Sequence, residues 1–76
     1  MSIGYSQSLV EANNEANAKS LGVALGRYCI ARGISVYTVS AYFEVSRMTV
    51  YNWFRGETLP HPRVTERIKR YIGKRK

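Results

Sequence analysis

Apolar residues recur at helical spacing in four segments of the chain, and this pattern predicts four helices. In the first segment, Leu21, Leu25 and Tyr28 fall at i, i+4 and i+7, a spacing that gathers side chains on one face of a helix. Gly33 follows a basic residue, which is typical of a helix that ends in glycine after a cationic last turn. The first predicted helix therefore covers about residues 20–32.

Two shorter segments predict a pair of helices joined by a tight turn. Ser35 and Ser46 are residues of a type that favours the position just before a helix. Helices over about 36–43 and 47–55 follow them, and Gly56 ends the second. Only three residues separate the two predicted helices. This short spacing is typical of a helix-turn-helix unit.

A last amphipathic segment predicts a helix over about residues 62–72. Pro62 suits the first position of a helix, and Val64, Ile68 and Ile72 recur at i, i+4 and i+8 on one face. With no pair of turn-linked strands evident in the pattern, we expect an all-α fold. The expected architecture is a small domain of four to five helices.

The ends of the chain differ from this helical middle. Residues 1–18 are small and polar, with three asparagines close together, and asparagine is a weak helix former. We expect a flexible or partly helical arm there, with a helical turn near residues 9–16. The helix-turn-helix domain then covers residues 19–73, and residues 74–76 form a short basic tail.

Net charge points to a polyanionic partner. The 76 residues carry a formal charge of +7, and a chain of this length forms one small domain without room for a deep substrate cleft. Residues 1–26 hold one basic and two acidic side chains, whereas residues 27–76 hold eleven basic and three acidic ones. Nucleic acid is the first candidate partner and an anionic membrane surface the second. The basic, later part of the chain is expected to make the contact.

The remaining chemistry excludes several classes of function. The single cysteine, Cys29, cannot form an internal disulfide or a cysteine-rich zinc site, so we expect a reducing, cytoplasmic setting. Cys29 and His61 have no supporting acid nearby, and we therefore predict no catalytic dyad, no metal site and no cofactor. We expect neither a secretory signal nor a membrane-spanning segment.

Opposite faces of the predicted 47–55 helix differ in chemistry. One side carries Thr49, Val50, Trp53 and Phe54, and the other carries Arg47, Met48, Tyr51, Asn52 and Arg55. The second set contains no acid, unlike an ordinary solvated face. Arg47 can match the acceptor pair on a guanine edge, and Asn52 can match the acceptor and donor on an adenine edge. Met48 suits a thymine methyl group, and Tyr51 suits a phosphate or a base.

Residues 39–56, VSAYFEVSRMTVYNWFRG, with Pro60 after them, resemble the phage repressor and Cro class of helix-turn-helix proteins. The resemblance covers about residues 21–72 and implies a lambda-repressor-like arrangement of helices. It also implies roles for individual side chains. The base-reading positions would be Arg47, Met48 and Asn52, with Tyr51 next, and the residues near phosphates would be Ser35, Ser46 and Arg55.

Two more residues are predicted to contact phosphates from neighbouring helices. Tyr37 lies on the predicted 36–43 helix, and Arg63 begins a series with Arg67 and Arg70 at i, i+4 and i+7. This arginine series fits a solvated helix face as well as it fits a contact with a phosphate backbone or an acidic partner. Both interpretations stay open at the level of sequence.

Three departures from the family pattern affect what the resemblance implies. Val36 stands where many relatives have a glutamine that braces a phosphate, and Glu44 stands where the turn usually has a left-handed glycine. Cys29 and Phe54 replace an arginine and a glutamate that form a buried ion pair in many relatives. Because packed apolar groups often replace such a pair without loss of stability, we expect Cys29 to pack against Phe54.

The combined expectation is a sequence-specific, double-stranded DNA-binding transcriptional regulator of phage or bacterial type. Binding to palindromic sites as a weak, DNA-assisted homodimer is expected, because many such proteins pair in this way. The alternative is a helix-turn-helix module that binds an acidic patch on a polymerase or another enzyme through its basic face. Binding of the last helix to lipid is disfavoured, because that helix is short and lacks a broad aromatic-rich face.

Overall fold

The computed structural model describes residues 6–16 and 20–73, and all regular structure in these ranges is helical. The helices are α1 (Gln7–Glu15), α2 (Leu21–Arg32), α3 (Val36–Phe43), α4 (Arg47–Arg55) and α5 (Pro62–Gly73). Their packed dimensions are 31 × 25 × 21 Å. The prediction of a small all-α domain is confirmed.

The helix-turn-helix pair, α3 and α4, begins and ends where the pattern predicts. Each helix starts with the same local motif. The Ser35 hydroxyl accepts a hydrogen bond from the Thr38 N–H at 3.1 Å, and the Ser46 hydroxyl accepts one from the Thr49 N–H at 3.1 Å. These bonds satisfy N–H groups that lack a partner within the helix. Gly56 ends α4 with a φ of 78°, a conformation that glycine adopts without steric cost.

Glu44 ends α3 in the left-handed region, with φ 60° and ψ 46°. The turn therefore keeps the backbone geometry that usually calls for glycine. A residue with a side chain costs about 1 kcal/mol in this conformation. The Val45 N–H donates to the Ser40 carbonyl at 3.0 Å and closes the end of the helix. This turn fixes the direction in which α4 leaves α3.

The described part of the predicted N-terminal arm is a packed helix of nine residues, α1, rather than a single turn. Leu9 and Asn13 of α1 are buried. The Asn13 amide donates to the Phe54 carbonyl at 2.7 Å and to the Val23 carbonyl at 3.2 Å. These contacts join residues far apart in the chain, so local helix propensity could not reveal them. The predictions for residues 1–5, 17–18 and the 74–76 tail lie outside the described residues.

Arg27 of α2 holds the end of α1. Its Nη2 atom lies 3.2 Å from the Asn13 carbonyl oxygen, 2.9 Å from that of Asn14 and 3.1 Å from that of Ala16. The last carbonyls of a helix lack partners within the helix, and a guanidinium there also complements the helix dipole. Arg27 therefore has a structural role, which is to join α2 to the end of α1.

The interior is built around α4, which packs against α1, α2 and α3, while α5 packs against α2. The largest group of buried residues consists of Leu9, Leu25, Cys29, Val36, Val39, Phe43, Val50, Trp53, Phe54 and Ile68. Cys29 and Phe54 are both fully buried members of this cluster, which is consistent with the expected packing between them.

The close approach of α2 to α4 leaves no room for a side chain at Gly22, where a Cβ atom would stand 2.9 Å from the Trp53 carbonyl oxygen, or at Gly26. A Cβ atom on Gly26 would stand 2.5 Å from the Asn13 amide nitrogen and 2.9 Å from the Phe54 ring. Both distances are below van der Waals contact. The absence of a side chain at Gly26 therefore allows α1, α2 and α4 to meet around Asn13, and this contact fixes α4 from its inner side.

Candidate nucleic-acid interface

The two faces of α4 separate in large part as the sequence predicts, but Thr49 of the predicted core face is only half-buried and Tyr51 of the predicted outward face packs against the core. Val50, Trp53 and Phe54 are buried in the core. On the other side, Arg47 is exposed and Met48 is 61% exposed, whereas Tyr51, Asn52 and Arg55 are half-buried. All five residues of the predicted outward set therefore reach the surface, and the N-terminal end of α4 is the more open end.

Arg47 has an aromatic neighbour on α3. The centre of its guanidinium lies 5.8 Å from the centroid of the Tyr37 ring, within the range of a cation–π interaction. Tyr37 is 66% exposed, so the pair stands at the surface between the two helices of the helix-turn-helix unit. No hydrogen bond or ion pair among the described residues uses the guanidinium of Arg47, so its N–H groups are open to a partner.

Asn52 carries an amide that is free to bind. Within residues 6–16 and 20–73, no hydrogen bond uses the Asn52 side chain. Its backbone carbonyl, in contrast, accepts from the Glu57 N–H at 2.9 Å. The backbone of Asn52 is thus held by the end of α4, and its side chain keeps one acceptor and two donors. This is the set that matches an adenine edge.

The start of α4 can bind an anion. The Ser46 hydroxyl is occupied by the Thr49 N–H and lies 3.0 Å from the Thr49 hydroxyl. No hydrogen bond among the described residues uses the N–H groups of Arg47 and Met48. Free N–H groups at a helix start, together with the helix dipole, favour a phosphate. Ser46 therefore acts as the cap, and the two N–H groups after it are the donors.

Ser35 and Tyr37 place similar groups at the start of α3. The Ser35 hydroxyl lies 3.0 Å from the Thr38 hydroxyl, in the arrangement that Ser46 and Thr49 also adopt. The hydroxyl group of Ser35 is thus committed to the helix cap, as that of Ser46 is. Contact with a phosphate at this helix start would come from backbone N–H groups and from the exposed Tyr37 side chain.

Tyr51 and Arg55 face a groove that the sequence did not predict. This α1–α4 groove has a volume of about 310 Å³, and it is lined by Ser6, Ser8, Leu9, Met48, Tyr51 and Arg55. The Arg55 Nε atom is buried and has no hydrogen-bond partner in the part of the chain that the structure describes. Ser6 and Ser8 thus stand beside predicted binding residues. The local signal that could have indicated this is Ser6, because serine favours the position just before a helix and so marks the start of α1.

Arg63 and Arg67 have different environments on α5. Arg63 is exposed on the first turn, where its backbone N–H donates to the His61 Nδ1 atom at 3.1 Å. Arg67 donates to the Tyr42 carbonyl at 2.9 Å, and its guanidinium lies 5.6 Å from the Tyr42 ring centroid and 5.4 Å from that of Phe43. The arginine series on α5 is therefore not a uniform basic face, because Arg67 joins α5 to α3.

Cys29 and His61 do not form a site together. Cys29 is fully buried and His61 is exposed. Burial raises the pKa of the Cys29 thiol to about 12, so the thiol is protonated at neutral pH. The described residues contain no group of three or more metal-ligating side chains, and none of the described helices is long and apolar enough to cross a membrane.

No protein-family model, curated protein or solved structure matches this chain. The function is therefore inferred from its own residues and geometry.

Proposed function

We propose that this chain is a sequence-specific, double-stranded DNA-binding protein that regulates transcription, in the manner of phage repressors and Cro proteins. The observation that carries the proposal is the open end of α4. Arg47, Met48 and the Asn52 amide reach the surface, and no hydrogen bond among the described residues uses that amide or the backbone N–H groups of Arg47 and Met48. This combination offers base-edge and phosphate contacts within one helix.

In this proposal α4 enters the major groove with its N-terminus leading. A helix of nine residues is about 13 Å long, and the major groove of B-form DNA is about 12 Å wide. Arg47 and Asn52 would pair with purine edges, Met48 would lie against a thymine methyl group, and Tyr51 would contact a base or a phosphate.

Phosphate contacts would supply much of the affinity. The backbone N–H groups after Ser46 and Ser35 would bind phosphates on the two sides of the groove, and Tyr37 and Arg63 would extend the contact. Arg55 would contribute a charge at the far end of α4. The excess of basic residues over residues 27–76 supports this arrangement. The proposed setting is the cytoplasm of a bacterium or of a phage-infected cell.

Selection of binding sites from a random pool of duplex DNA tests the proposal. We expect one enriched motif, and we expect the logarithm of its affinity to fall linearly with the logarithm of salt concentration, by about 0.9 per phosphate contacted. A pool that stays random after repeated rounds, at salt concentrations where the chain still binds duplex DNA, would contradict sequence-specific binding.

A protein-binding module is the second candidate. The observation that favours it is the partial burial of Tyr51 and Arg55 beside α1, which leaves less of α4 open to DNA. Under this alternative, the basic face would bind an acidic patch of a polymerase or another enzyme. Stoichiometric binding to one protein, with no preference among DNA sequences, would favour it over the first proposal.

Weak pairing on DNA is part of the first proposal. Leu59, in the loop between α4 and α5, is 74% exposed and is the most exposed of the large apolar residues in the described chain. An apolar side chain at this loop offers a small contact to a second copy bound at an adjacent half-site. Substituting Leu59→Ser should lower the cooperativity of binding to a palindromic site, with the affinity for a half-site unchanged.

A further inference from the structure

A second groove lies between the C-terminal ends of α3 and α5, away from the outward residues of α4. This Tyr42–Tyr71 groove has a volume of about 410 Å³ and is lined by Tyr42, Arg70, Tyr71 and Gly73. None of these residues belongs to the proposed DNA-contacting set. Its lining combines two aromatic rings with one guanidinium, which differs from the chemistry of α4.

The aromatic lining of the groove is held rigidly. The ring centroids of Tyr42 and Tyr71 are 4.9 Å apart. The centroid of Tyr71 is also 5.6 Å from that of Phe43 and 5.9 Å from that of Tyr28. The hydrogen bond from Arg67 to the Tyr42 carbonyl fixes the backbone at the same point. Tyr42 is nevertheless 47% exposed. A rigid, exposed ring gives contact area to a partner at low entropic cost.

The charge around this groove is positive and largely uncompensated. Glu66 is the single acid of α5, and it pairs with Lys69 at 3.7 Å. Arg70 forms no ion pair with any of the residues that the structure describes. The three residues that follow Gly73 in the sequence are Lys, Arg and Lys, with no acid among them. The complementary occupant is acidic.

The two exposed tyrosines of α3 belong to different surfaces, one to the proposed DNA-binding surface and the other to this groove. Tyr37, at the start of α3, contacts Arg47 of α4, whereas Tyr42, at its end, contacts Tyr71 and Arg67 of α5. Five residues along a helix correspond to a rotation of about 140° and a rise of about 7.5 Å. A partner in the groove would therefore leave α4 open.

We propose that the Tyr42–Tyr71 groove binds an acidic peptide segment of a partner protein. An apolar side chain of that segment packs on the rings of Tyr42 and Tyr71, and a neighbouring carboxylate pairs with Arg70. The aromatic and arginine content of the groove is typical of the residues that dominate protein–protein binding energy. This binding is independent of DNA recognition, and the two surfaces can be occupied at the same time.

Fluorescence anisotropy with labelled short peptides tests the proposal. One library contains peptides rich in aspartate and glutamate that carry a single phenylalanine, leucine or tryptophan. The matched library has asparagine and glutamine in place of the acids. We expect the full chain to bind members of the acidic library and not their neutral counterparts, and we expect affinity to fall when salt is added.

Two charge-reversal variants locate the binding. Substituting Arg70→Glu should weaken the best peptide about tenfold or more, because an attractive charge pair becomes repulsive. Substituting Lys69→Glu makes the same change in net charge one residue away, outside the groove lining, and should change the affinity less than about twofold. A third variant, Tyr42→Ala, should also weaken binding of the peptide. The melting temperature of this variant separates loss of the ring from loss of the fold.

Several outcomes would overturn the proposal. Equal weakening by Arg70→Glu and Lys69→Glu would mean that the peptides respond to net charge alone. Displacement of the peptide by a single-stranded oligonucleotide would assign the groove to nucleic acid, and groove-dependent self-association would assign it to a second copy of the chain. Because the same variants can be assayed on selected duplex DNA, failure of the peptide result leaves the proposal for α4 testable separately.

Discussion

Two kinds of arginine occupy different regions of the part of the chain that the structure describes. At the helix joints, Arg27 binds the carbonyls that end α1, and Arg67 binds the carbonyl of Tyr42 that lies near the end of α3. On the outward side of the helix-turn-helix unit, the guanidinium of Arg47 lies near the Tyr37 ring and forms no hydrogen bond or ion pair within residues 6–16 and 20–73. The guanidinium N–H groups at the joints are used by the fold, whereas those of Arg47 remain available.

This difference shows that the position of an arginine in the sequence is not enough to assign it a function. Its hydrogen-bond partners within the fold must also be known. The series Arg63, Arg67 and Arg70 looks uniform in sequence, yet Arg67 is committed to the α3–α5 joint. A count of basic residues would assign all three to a partner. Hydrogen-bond partners separate the arginines that hold helices together from those that can contact another molecule.

The strongest test of this division places an arginine at a fully buried position of the hydrophobic core, Cys29. Substituting Cys29→Arg should lower the free energy of unfolding by about 3–5 kcal/mol, because it buries a charge without a partner. Denaturant unfolding followed by circular dichroism measures the loss. Cys29→Ala is the control, expected to cost about 1 kcal/mol. An unchanged melting temperature for Cys29→Arg would contradict the packing of Cys29 in the core.

Removing one arginine from each group compares the regions directly. Arg27→Ala should lower the free energy of unfolding by about 1–3 kcal/mol, because it leaves the carbonyls at the end of α1 without a charged donor. The matched variant Arg47→Ala should change stability by less than about 0.5 kcal/mol. Thermal and denaturant unfolding of both variants checks the contrast. Equal losses would remove the distinction between the two groups.

Cys29 also predicts how stability responds to alkaline pH. Burial raises the pKa of its thiol to about 12 in the fold, and the pKa of an unfolded cysteine is about 8.5. The neutral thiol therefore stabilises the fold fully below about pH 8.5. This contribution falls between about pH 8.5 and 12, by up to about 1.4 kcal/mol per pH unit.

Cys29→Ala isolates this pH effect from other groups that titrate in the same range. The advantage in unfolding free energy that the wild-type chain has over Cys29→Ala should fall as pH rises above about 8.5, and it should reverse by about pH 10. A difference that stays constant up to pH 10 would show that the thiol is not shielded from water in the folded chain.

The smallest expected effect concerns the Tyr37 ring, whose centroid lies 5.8 Å from the Arg47 guanidinium. Tyr37→Leu should weaken binding to the selected DNA site by about 0.5–1 kcal/mol, because the guanidinium loses its cation–π contact. Tyr37→Phe keeps the ring but lacks the hydroxyl proposed to contact a phosphate, so it should weaken binding less than Tyr37→Leu does. An equal loss in both variants would assign the role of Tyr37 to its hydroxyl, as a phosphate contact, rather than to its ring.

Local patterns in the sequence were enough to predict α3 and α4 to the residue. Their boundaries depend on Ser35, Ser46 and Gly56, which act within one or two turns of chain. The outward face of α4 followed from the helical period alone. In these segments, local preference and tertiary packing favour the same structure.

The packing of α1 could not be predicted in the same way. Asn13 is a weak helix former, and its amide binds carbonyls on α2 and α4 that are 10 and 41 residues away in the chain. The α1–α4 groove beside Tyr51 and Arg55 follows from this packing. The commitment of Arg67 to the α3–α5 joint is a separate tertiary contact, between residues 25 positions apart. Each depends on contacts between distant segments, which periodicity does not report.

The most direct test of the central claim is the affinity of Asn52→Ala for the selected DNA site and for random duplex DNA. If Asn52 contacts a base edge, the variant should lose about 1–3 kcal/mol at the selected site and almost nothing on random DNA. Arg55→Ala is the matched control and should weaken both DNAs alike, as expected for a phosphate contact. Equal losses of Asn52→Ala on the two DNAs would contradict base recognition by the outward face of α4.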